Sequence, residues 1–351
     1  MKRRVFCALL AISLLCALLP ACGETEPQLN KYSAYSFDWF DTATTVVGYA
    51  ESQEAFDTVA HEALERLGEY HRLYNIYQRY EGMENLCTVN ELTDGAHRTV
   101  TVDRRIIDLL LYAREMYDKT NGMTNVAMGS VLRLWHDCRT AGTDAPVSAA
   151  LPSMDKLQKA AQHTDITKMV IDEKAGTVTL TDPAMRLDVG AIAKGYATEQ
   201  VATWLEEQGV SGWLLNVGGN VRAVGNKPDG TPWTAGLENP DEAEEDYLDY
   251  LQLKNEALVT SGSYQRYYIV NGKRYHHIIH PDTLMPAEGF LAVSVICPDA
   301  GMGDALSTAL FCMSIEEGQR LIAALDGVEA SWVSSDGVRT VSDGWNAYVK
   351  Q

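Results

Sequence analysis

Gln265-Arg-Tyr-Tyr-Ile-Val270-Asn-Gly-Lys-Arg-Tyr275-His-His-Ile-Ile279 decides the fold. Two apolar and aromatic runs flank Asn271-Gly272, the dipeptide of a type I′ turn, in which both central residues take positive φ. The segment is expected to be a hairpin, and a hairpin is antiparallel by construction. Met169 to Leu180 reads the same way, turning at Lys174-Ala-Gly176. Trp213 to Val217 is a strand running into Gly218-Gly219-Asn220, and Leu291 to Ile296 is another. Helices lie between them. Glu54 to Tyr74 places apolar residues at 56, 59, 60, 63, 64, 67, 73 and 74, which is helical spacing. Asp103 to Lys119 starts at an Asp cap and stops near Asn121-Gly122. Ile192 to Gln208 closes on Gly209 in the C′ position, and Gly303 to Met313 is the last helix. Helices and strands alternate, but the hairpins argue against a doubly wound parallel sheet. The class is α+β, with mixed or antiparallel sheets packed against helices.

The 351 residues are enough for one large unit of this kind or for two domains. Apolar residues at 46% and charged residues at 22% exclude a disordered chain, a collagen-like fibre and a polytopic membrane protein. The chain holds 29 Lys and Arg against 48 Asp and Glu, a formal net charge of -19. No basic cluster stands outside the first four residues, so nucleic acid is not an expected partner. A phosphate ligand would have to be held by backbone N–H groups, by a few placed basic side chains, or by a metal ion.

Lys2, Arg3 and Arg4 precede an apolar stretch of 15 residues, Val5 to Leu19, and Leu19-Pro20-Ala21-Cys22 follows in the manner of a bacterial lipobox. Residues 1–21 are expected to be a lipoprotein signal peptide, with Cys22 lipidated. An ordinary cleaved signal is the alternative. Either places the protein outside the cytoplasm; the lipid anchor would hold it to the cell membrane on the extracytoplasmic face. Removing residues 1–21 takes away three positive charges and no negative ones, which leaves -22. Residues 22–35 read as a flexible polar tether and 36–351 as the working domain. Of seven cysteines, those at 87, 138, 297 and 312 remain as candidates for pairing; without a C-x-x-C they read as buried free thiols. Asp241 to Asp246 reads as a solvated acidic loop.

Five segments could carry chemistry. Leu187-Asp188-Val-Gly190-Ala191-Ile-Ala-Lys194-Gly195-Tyr196 brings a strand end to a helix N-terminus across glycines, a place suited to phosphate or simply a tightly packed helix start. Asn216-Val-Gly218-Gly219-Asn220 lets backbone approach a ligand, or is a tight turn. Thr260-Ser261-Gly262-Ser263-Tyr264 offers small hydroxyls, or is a plain loop. His276-His277-Ile-Ile-His280 invites a zinc reading, but there is no H-E-x-x-H helix, and His277 and His280 would face opposite ways on a strand. One His working as acid/base or phosphate donor is preferred. In Gly303-Asp304-Ala-Leu-Ser307-Thr308, Asp304 and Thr308 share a helix face. That is hard oxygen ligation suited to Mg²⁺; an N-cap Asp with a buried Thr is the alternative.

Taken in order, these segments resemble the ApbE family, the FAD:protein FMN transferases of bacterial envelopes. Phe40-Asp41-Thr42 and Gly122 through Asn125-Val-Ala-Met128-Gly129 to Leu134-Trp135 fit as well. The resemblance implies a fold related to the T-fold, and a reaction in which a Thr or Ser hydroxyl of an envelope flavoprotein attacks the FMN-side phosphorus of FAD and AMP leaves. It implies Mg²⁺ bound by Asp304, Thr308 and the backbone carbonyl of Ala191. It implies that Asp188, Lys194, Phe40, Tyr77, Met123, Thr124, Asn125 and the backbone near Ile278 line the FAD site. The two aromatics would pack on flavin or adenine, with core packing as their alternative. His277 would be the acid/base or phosphate-contacting residue; a carboxylate near the metal is the other candidate base. Many members of that family carry Asp at the position of His280, and they often show Asp at that of Asn125; many also carry an acidic residue where Ser307 stands, a ligand for a second metal ion that is missing here, so a single Mg²⁺ is expected. An FAD pyrophosphatase, a surface FAD-binding lipoprotein without turnover, and a zinc hydrolase built on the His cluster are the competing readings.

Overall fold

The computed structural model describes residues 28–91, 98–241 and 246–351. In chain order the strands are β1 (Asn30–Ser36), β2 (Thr44–Ala50), β3 (Arg98–Thr101), β4 (Met169–Asp172), β5 (Thr177–Leu180), β6 (Trp213–Val217), β7 (Asn220–Val224), β8 (Trp233–Glu238), β9 (Tyr247–Leu253), β10 (Ala257–Gly262), β11 (Tyr267–Val270), β12 (Lys273–His276), β13 (Phe290–Cys297), β14 (Glu329–Ser334) and β15 (Arg339–Val341). The α-helices are α1 (Gln53–Tyr74), α2 (Leu86–Asn90), α3 (Arg104–Lys119), α4 (Gly129–Asp144), α5 (Met154–Ala161), α6 (Ala193–Glu207), α7 (Ala300–Phe311) and α8 (Ile315–Ile322).

An eight-stranded sheet in the order β1-β2-β6-β7-β10-β13-β14-β15 is the frame, with every neighbouring pair antiparallel. A three-stranded sheet, β3-β5-β4, and two ribbons, β8-β9 and β11-β12, complete the strands. The α+β expectation holds, and the sheets are antiparallel.

Side-chain period explains the layering. The Ser52 hydroxyl accepts from the Ala55 N–H to start α1, whose Phe56, Ala60, Ala63 and Leu67 fall on one buried face. Asp103 caps α3 in the same way. Helices α1, α3 and α6 share one core with β2 and β6. Helix α7 lies in a second core on Val259, Val293 and Val295. Alternate residues of the same strands, Leu258 and Ile296, point the other way and are covered by the β8-β9 ribbon and Trp345. A fourth, smaller cluster joins α4 to the β11-β12 hairpin through Trp135, Tyr268 and Val270.

The decisive hairpin forms as expected. Tyr267 pairs with His276 and Val270 with Lys273, and Asn271 and Gly272 take φ of 50° and 78°. Its second strand stops at His276, short of Ile279. The reason is His276 itself: Nδ1 accepts from the Ile278 N–H at 3.2 Å and Nε2–H donates to the Ala287 carbonyl at 2.8 Å, which turns the backbone off the ladder. His277 and His280 therefore lie beyond the strand, and an argument from strand faces does not apply to them.

Two further expectations change. The tether expected over 22–35 gives way to β1 from Asn30, because Tyr32 turns inward with its ring 5.6 Å from that of Phe56 while its neighbours face solvent. Helix α7 begins at Ala300 rather than at Gly303, since Asp299 caps the Met302 N–H at 2.6 Å. Asp304 is therefore inside the helix and is not its N-cap. The signal segment, Cys22 and residues 242–245 of the acidic run lie outside the described residues. No helix among the described residues is long and apolar enough to cross a membrane. The four cysteines at 87, 138, 297 and 312 are unpaired, and all but Cys138 are buried.

Candidate active site

One cavity of about 680 Å³ opens at the end of the main sheet, where the β6–β7 turn, the end of β10, the segment after β12, and the starts of α6 and α7 meet. Its size is in the range of small-molecule and cofactor sites. Of the residues singled out in the sequence, Tyr77, Met123, Thr124, Asn125, Asp188, Ala191, Lys194, His277, Ile278, Asp304 and Thr308 all line it. Phe40 does not. Its ring stands edge-on to His71, 5.4 Å between centroids, and its N–H donates to His71 Nδ1. Packing, the alternative reading of Phe40, describes it.

Asp304 is built in by two helices. Its side chain leaves α7 and reaches the first turn of α6, where Oδ2 accepts from the Gly195 N–H at 2.9 Å. Helix α6 has no side-chain cap of its own, so a carboxylate from another helix serves its positive end. Lys194 Nζ stands 3.4 Å from Oδ1. The approach requires glycine: a Cβ at Gly195 would lie 2.2 Å from the Ala300 carbonyl oxygen and 2.6 Å from Asp304 Cβ. Asp304 is 4% exposed, and that little is its face toward the cavity. A carboxylate has about four acceptor sites, and two are used here.

Beside it, Ser261 Oγ bonds Ser307 Oγ at 2.9 Å and reaches Thr308 Oγ1 at 3.5 Å, a row of hydroxyls at the end of β10. Asp304, Thr308 and Ala191 all line the cavity, and a carboxylate with a hydroxyl and a backbone carbonyl is a hard-oxygen donor set of the kind a magnesium ion takes.

Thr124 and Asn125 line the cavity but spend their side chains on the fold. The Thr124 hydroxyl donates to the Ala305 carbonyl at 2.7 Å and so pins α7. Asn125 donates to the Thr164 carbonyl and accepts from the Ala127 N–H. Asp188 accepts from the Gly190 N–H at 2.9 Å, and burial pushes its carboxyl above the usual range. The β6–β7 turn closes on Gly218 and Gly219 at φ of 55° and 88°; a Cβ at Gly218 would strike Thr42.

The three histidines separate. His276 is spent on backbone, and His280 Nδ1 accepts from the Asp282 N–H. His277 faces the cavity. Its Nδ1 lies 3.2 Å from the Arg266 carbonyl, and a carbonyl only accepts, so Nδ1 carries the proton and Nε2 keeps its lone pair. Burial, and then the cations Arg266 and Arg139, push the imidazole down to about 3. The sign of the pH effect follows. Below about pH 6.5 the unfolded chain protonates this histidine while the folded one keeps it neutral, so stability falls as pH drops from 6.5 towards 3. Thermal unfolding between pH 7.5 and 5 should therefore lower Tm more in the wild type than in His277→Gln; equal slopes would contradict the assignment.

Sequence reading assigned Met128, the residue before α4, and Trp135 no role in the site and passed over Leu132, His136 and Arg139, yet with α4 these five form a wall of the cavity. These fall on one helical face, and that period was the signal available. Tyr77 stacks on His136 with centroids 4.7 Å apart, which presents an aromatic pair to the cavity. Arg266 and Glu238 also escaped notice.

A carboxylate, a hydroxyl row and an oriented imidazole around one cleft make an enzyme's architecture. The fold matches the solved ApbE protein of Thermotoga maritima with a TM-score of 0.79 and 27% identity, covering 92% of this chain and 100% of that one. The ApbE family model matches residues 40–332, and the chain belongs to the ApbE family. A Klebsiella pneumoniae FAD:protein FMN transferase is 32% identical over 274 residues, covering 76% of this chain and 82% of that protein. A Treponema pallidum FAD:protein FMN transferase is 32% identical over 253 residues, covering 68% and 67%. These relatives are transferases, and the chain falls in that enzyme class.

Proposed function

We propose that this chain is an FAD:protein FMN transferase, moving FMN from FAD to a Thr or Ser hydroxyl of a partner flavoprotein with release of AMP. The observation that carries the reading is the meeting, in one cavity, of the Asp304 and Thr308 oxygens with the unprotonated Nε2 of His277. In the reaction the acceptor oxygen bonds to the FMN-side phosphorus. The bond from that phosphorus to the bridging oxygen breaks, and its electron pair leaves with AMP. His277 Nε2 accepts the hydroxyl proton, held in register by the Arg266 carbonyl at Nδ1. The bound pyrophosphate raises the basicity of His277 by offsetting the neighbouring cations. Tyr77 and His136 offer a stacking surface for a heteroaromatic ring. Asp304, Thr308 and the Ala191 carbonyl would hold Mg²⁺, which supplies charge neutralisation at the pyrophosphate. In a chain so acidic, a cation between protein and pyrophosphate is the simplest electrostatic solution.

The same reading places the enzyme on the extracytoplasmic face of the cell membrane, anchored through lipid on Cys22. The ordered basic, apolar and lipobox segments of the leader support this.

The test is to follow AMP release and acceptor mass with FAD, Mg²⁺ and an envelope flavoprotein. Coupled AMP release and an FMN-sized mass gain are expected. AMP without the mass gain would indicate an FAD pyrophosphatase instead, and FAD binding without AMP a storage protein. In the same assay His277→Gln should lower turnover by roughly 10²- to 10⁴-fold, as loss of a general base does, with FAD affinity little changed. A loss confined to affinity would make His277 a ligand contact only.

A further inference from the structure

Two guanidinium groups in the cavity stand outside any ion pair. Arg139, on α4, and Arg266, just before β11, both line it. Among the described residues neither has a carboxylate within ion-pair distance, whereas seven other arginines do. Other arginines also stand outside an ion pair, but among the described residues only these two line the cavity. Lys194, the other cation of the cavity wall, is already held by Asp304. Arg139 donates to His136 Nδ1 at 3.2 Å, a contact that orients it without removing its charge. Arg266 is tied to His277 through its own carbonyl, which receives both the backbone N–H at 3.1 Å and Nδ1–H. Both cations act on His277 and on Asp188, so they work over the same part of the cavity. The carboxylate of Asp188 is the acid they share, and it is engaged with the Gly190 N–H.

Two cations that share one carboxylate, itself engaged with a backbone N–H, stay under-compensated until a further anion joins them. The guanidinium fork matches phosphoryl oxygens two at a time, so the geometry selects a phosphate over a neutral ring edge. We propose that Arg139 and Arg266 form a phosphate-recognising pair that holds the FMN-side phosphate of the flavin beside His277. This rests on the transferase reading above and adds to it the residues that grip the transferred group. The FMN side is chosen because His277 must stand next to the phosphorus that its hydroxyl substrate attacks. The adenylate phosphate departs and needs no such grip.

The experiment is equilibrium binding to the full chain without metal, in excess chelator, of riboflavin, FMN and AMP. Flavin fluorescence reads the first two and competition reads the third. Wild type should prefer FMN to riboflavin. Arg139→Gln and Arg266→Gln should each weaken FMN by roughly tenfold, the scale of one lost charge-assisted hydrogen bond, and leave riboflavin unchanged. The double variant should bind the two flavins alike, and Lys at either position should recover part of the preference. Raising salt on the wild type should erode FMN affinity and spare riboflavin, a readout independent of whether any variant folds. Parallel loss of riboflavin and FMN in folded variants, loss of AMP alone, an unchanged FMN preference, or a salt-insensitive one would each overturn the pair. A wild type that splits FAD while the variants keep their FMN preference removes only this inference. A wild type that neither binds flavin nor releases AMP removes the transferase reading with it.

Discussion

Asp304→Ala is expected to lower AMP release from FAD by about three orders of magnitude, the scale of losing a principal electrostatic group from a phosphoryl-transfer site. The side chain has two duties. It caps the first turn of α6 through Gly195 and it faces the cavity beside Thr308. Its removal leaves one N–H of α6 without its acceptor and leaves Lys194 unpaired, so a stability loss of about 1 kcal/mol should accompany the kinetic one. Asp304→Asn separates the two: it keeps the acceptor for Gly195 and removes the charge. Its Tm should stay near that of the wild type while activity falls as far as in the Ala variant. Steady-state AMP release against Mg²⁺ concentration is the measurement. Normal magnesium dependence in Asp304→Asn would remove Asp304 from the metal's ligand set.

Glu199→Ala should be the most destabilising single change, by about 3 kcal/mol, because it takes the forked partner from a buried cation and leaves it only Glu206, at 3.3 Å, as a carboxylate. Arg222 is 3% exposed and forks onto Glu199 with contacts of 2.8 and 3.0 Å. The same carboxylate accepts the Ala300 N–H at 2.7 Å, the first residue of α7. One side chain on α6 thus secures both strand β7 and the start of the helix that carries Asp304. Thermal or denaturant unfolding reads the loss. Pairing Glu199→Leu with Arg222→Met should restore much of it, because the penalty belongs to the under-compensated buried charge more than to the missing bond. A single variant within 1 kcal/mol of wild type would refute this.

Where local chemistry dictated structure, the sequence was readable. Asn271-Gly272 could only turn one way, Ser52 and Asp103 announced helix starts, and the apolar periods of α1 and α3 matched their buried faces. The lining of the cavity was readable where a short motif pointed to it, at Asp304, Thr308, Lys194 and His277, which chain order separates widely and the fold brings to one cavity. What stayed hidden depends on tertiary contact. No pattern around Glu199 or Arg222 says that they meet. The start of α7 moved to Ala300 because Asp299 outcompetes Gly303 as a boundary signal. Strand β12 broke at His276 because an imidazole can replace two ladder bonds, which propensity does not foresee. Phe40 looked like a ligand aromatic and became a packing residue because His71, distant in sequence, supplies its partner.

The small cluster that joins α4 to the β11-β12 hairpin has a consequence for how the protein breathes. Arg139, Arg266 and His277 all hang on these two elements, while Asp304 and Thr308 stand on α7, whose Ala305 and Leu306 lie in the two large cores. The ribbon shares no ladder with the main sheet. A unit with so few buried contacts is expected to open at a free energy below that of global unfolding, which hydrogen exchange in β11 and β12 would read. Such an opening would part the cavity along its length, carrying the cations and the imidazole away from a carboxylate wall that stays folded. Under the transferase reading, that widening would give a protein acceptor a broader way in, with the remainder of the fold serving as the fixed jaw of a hinged clamp.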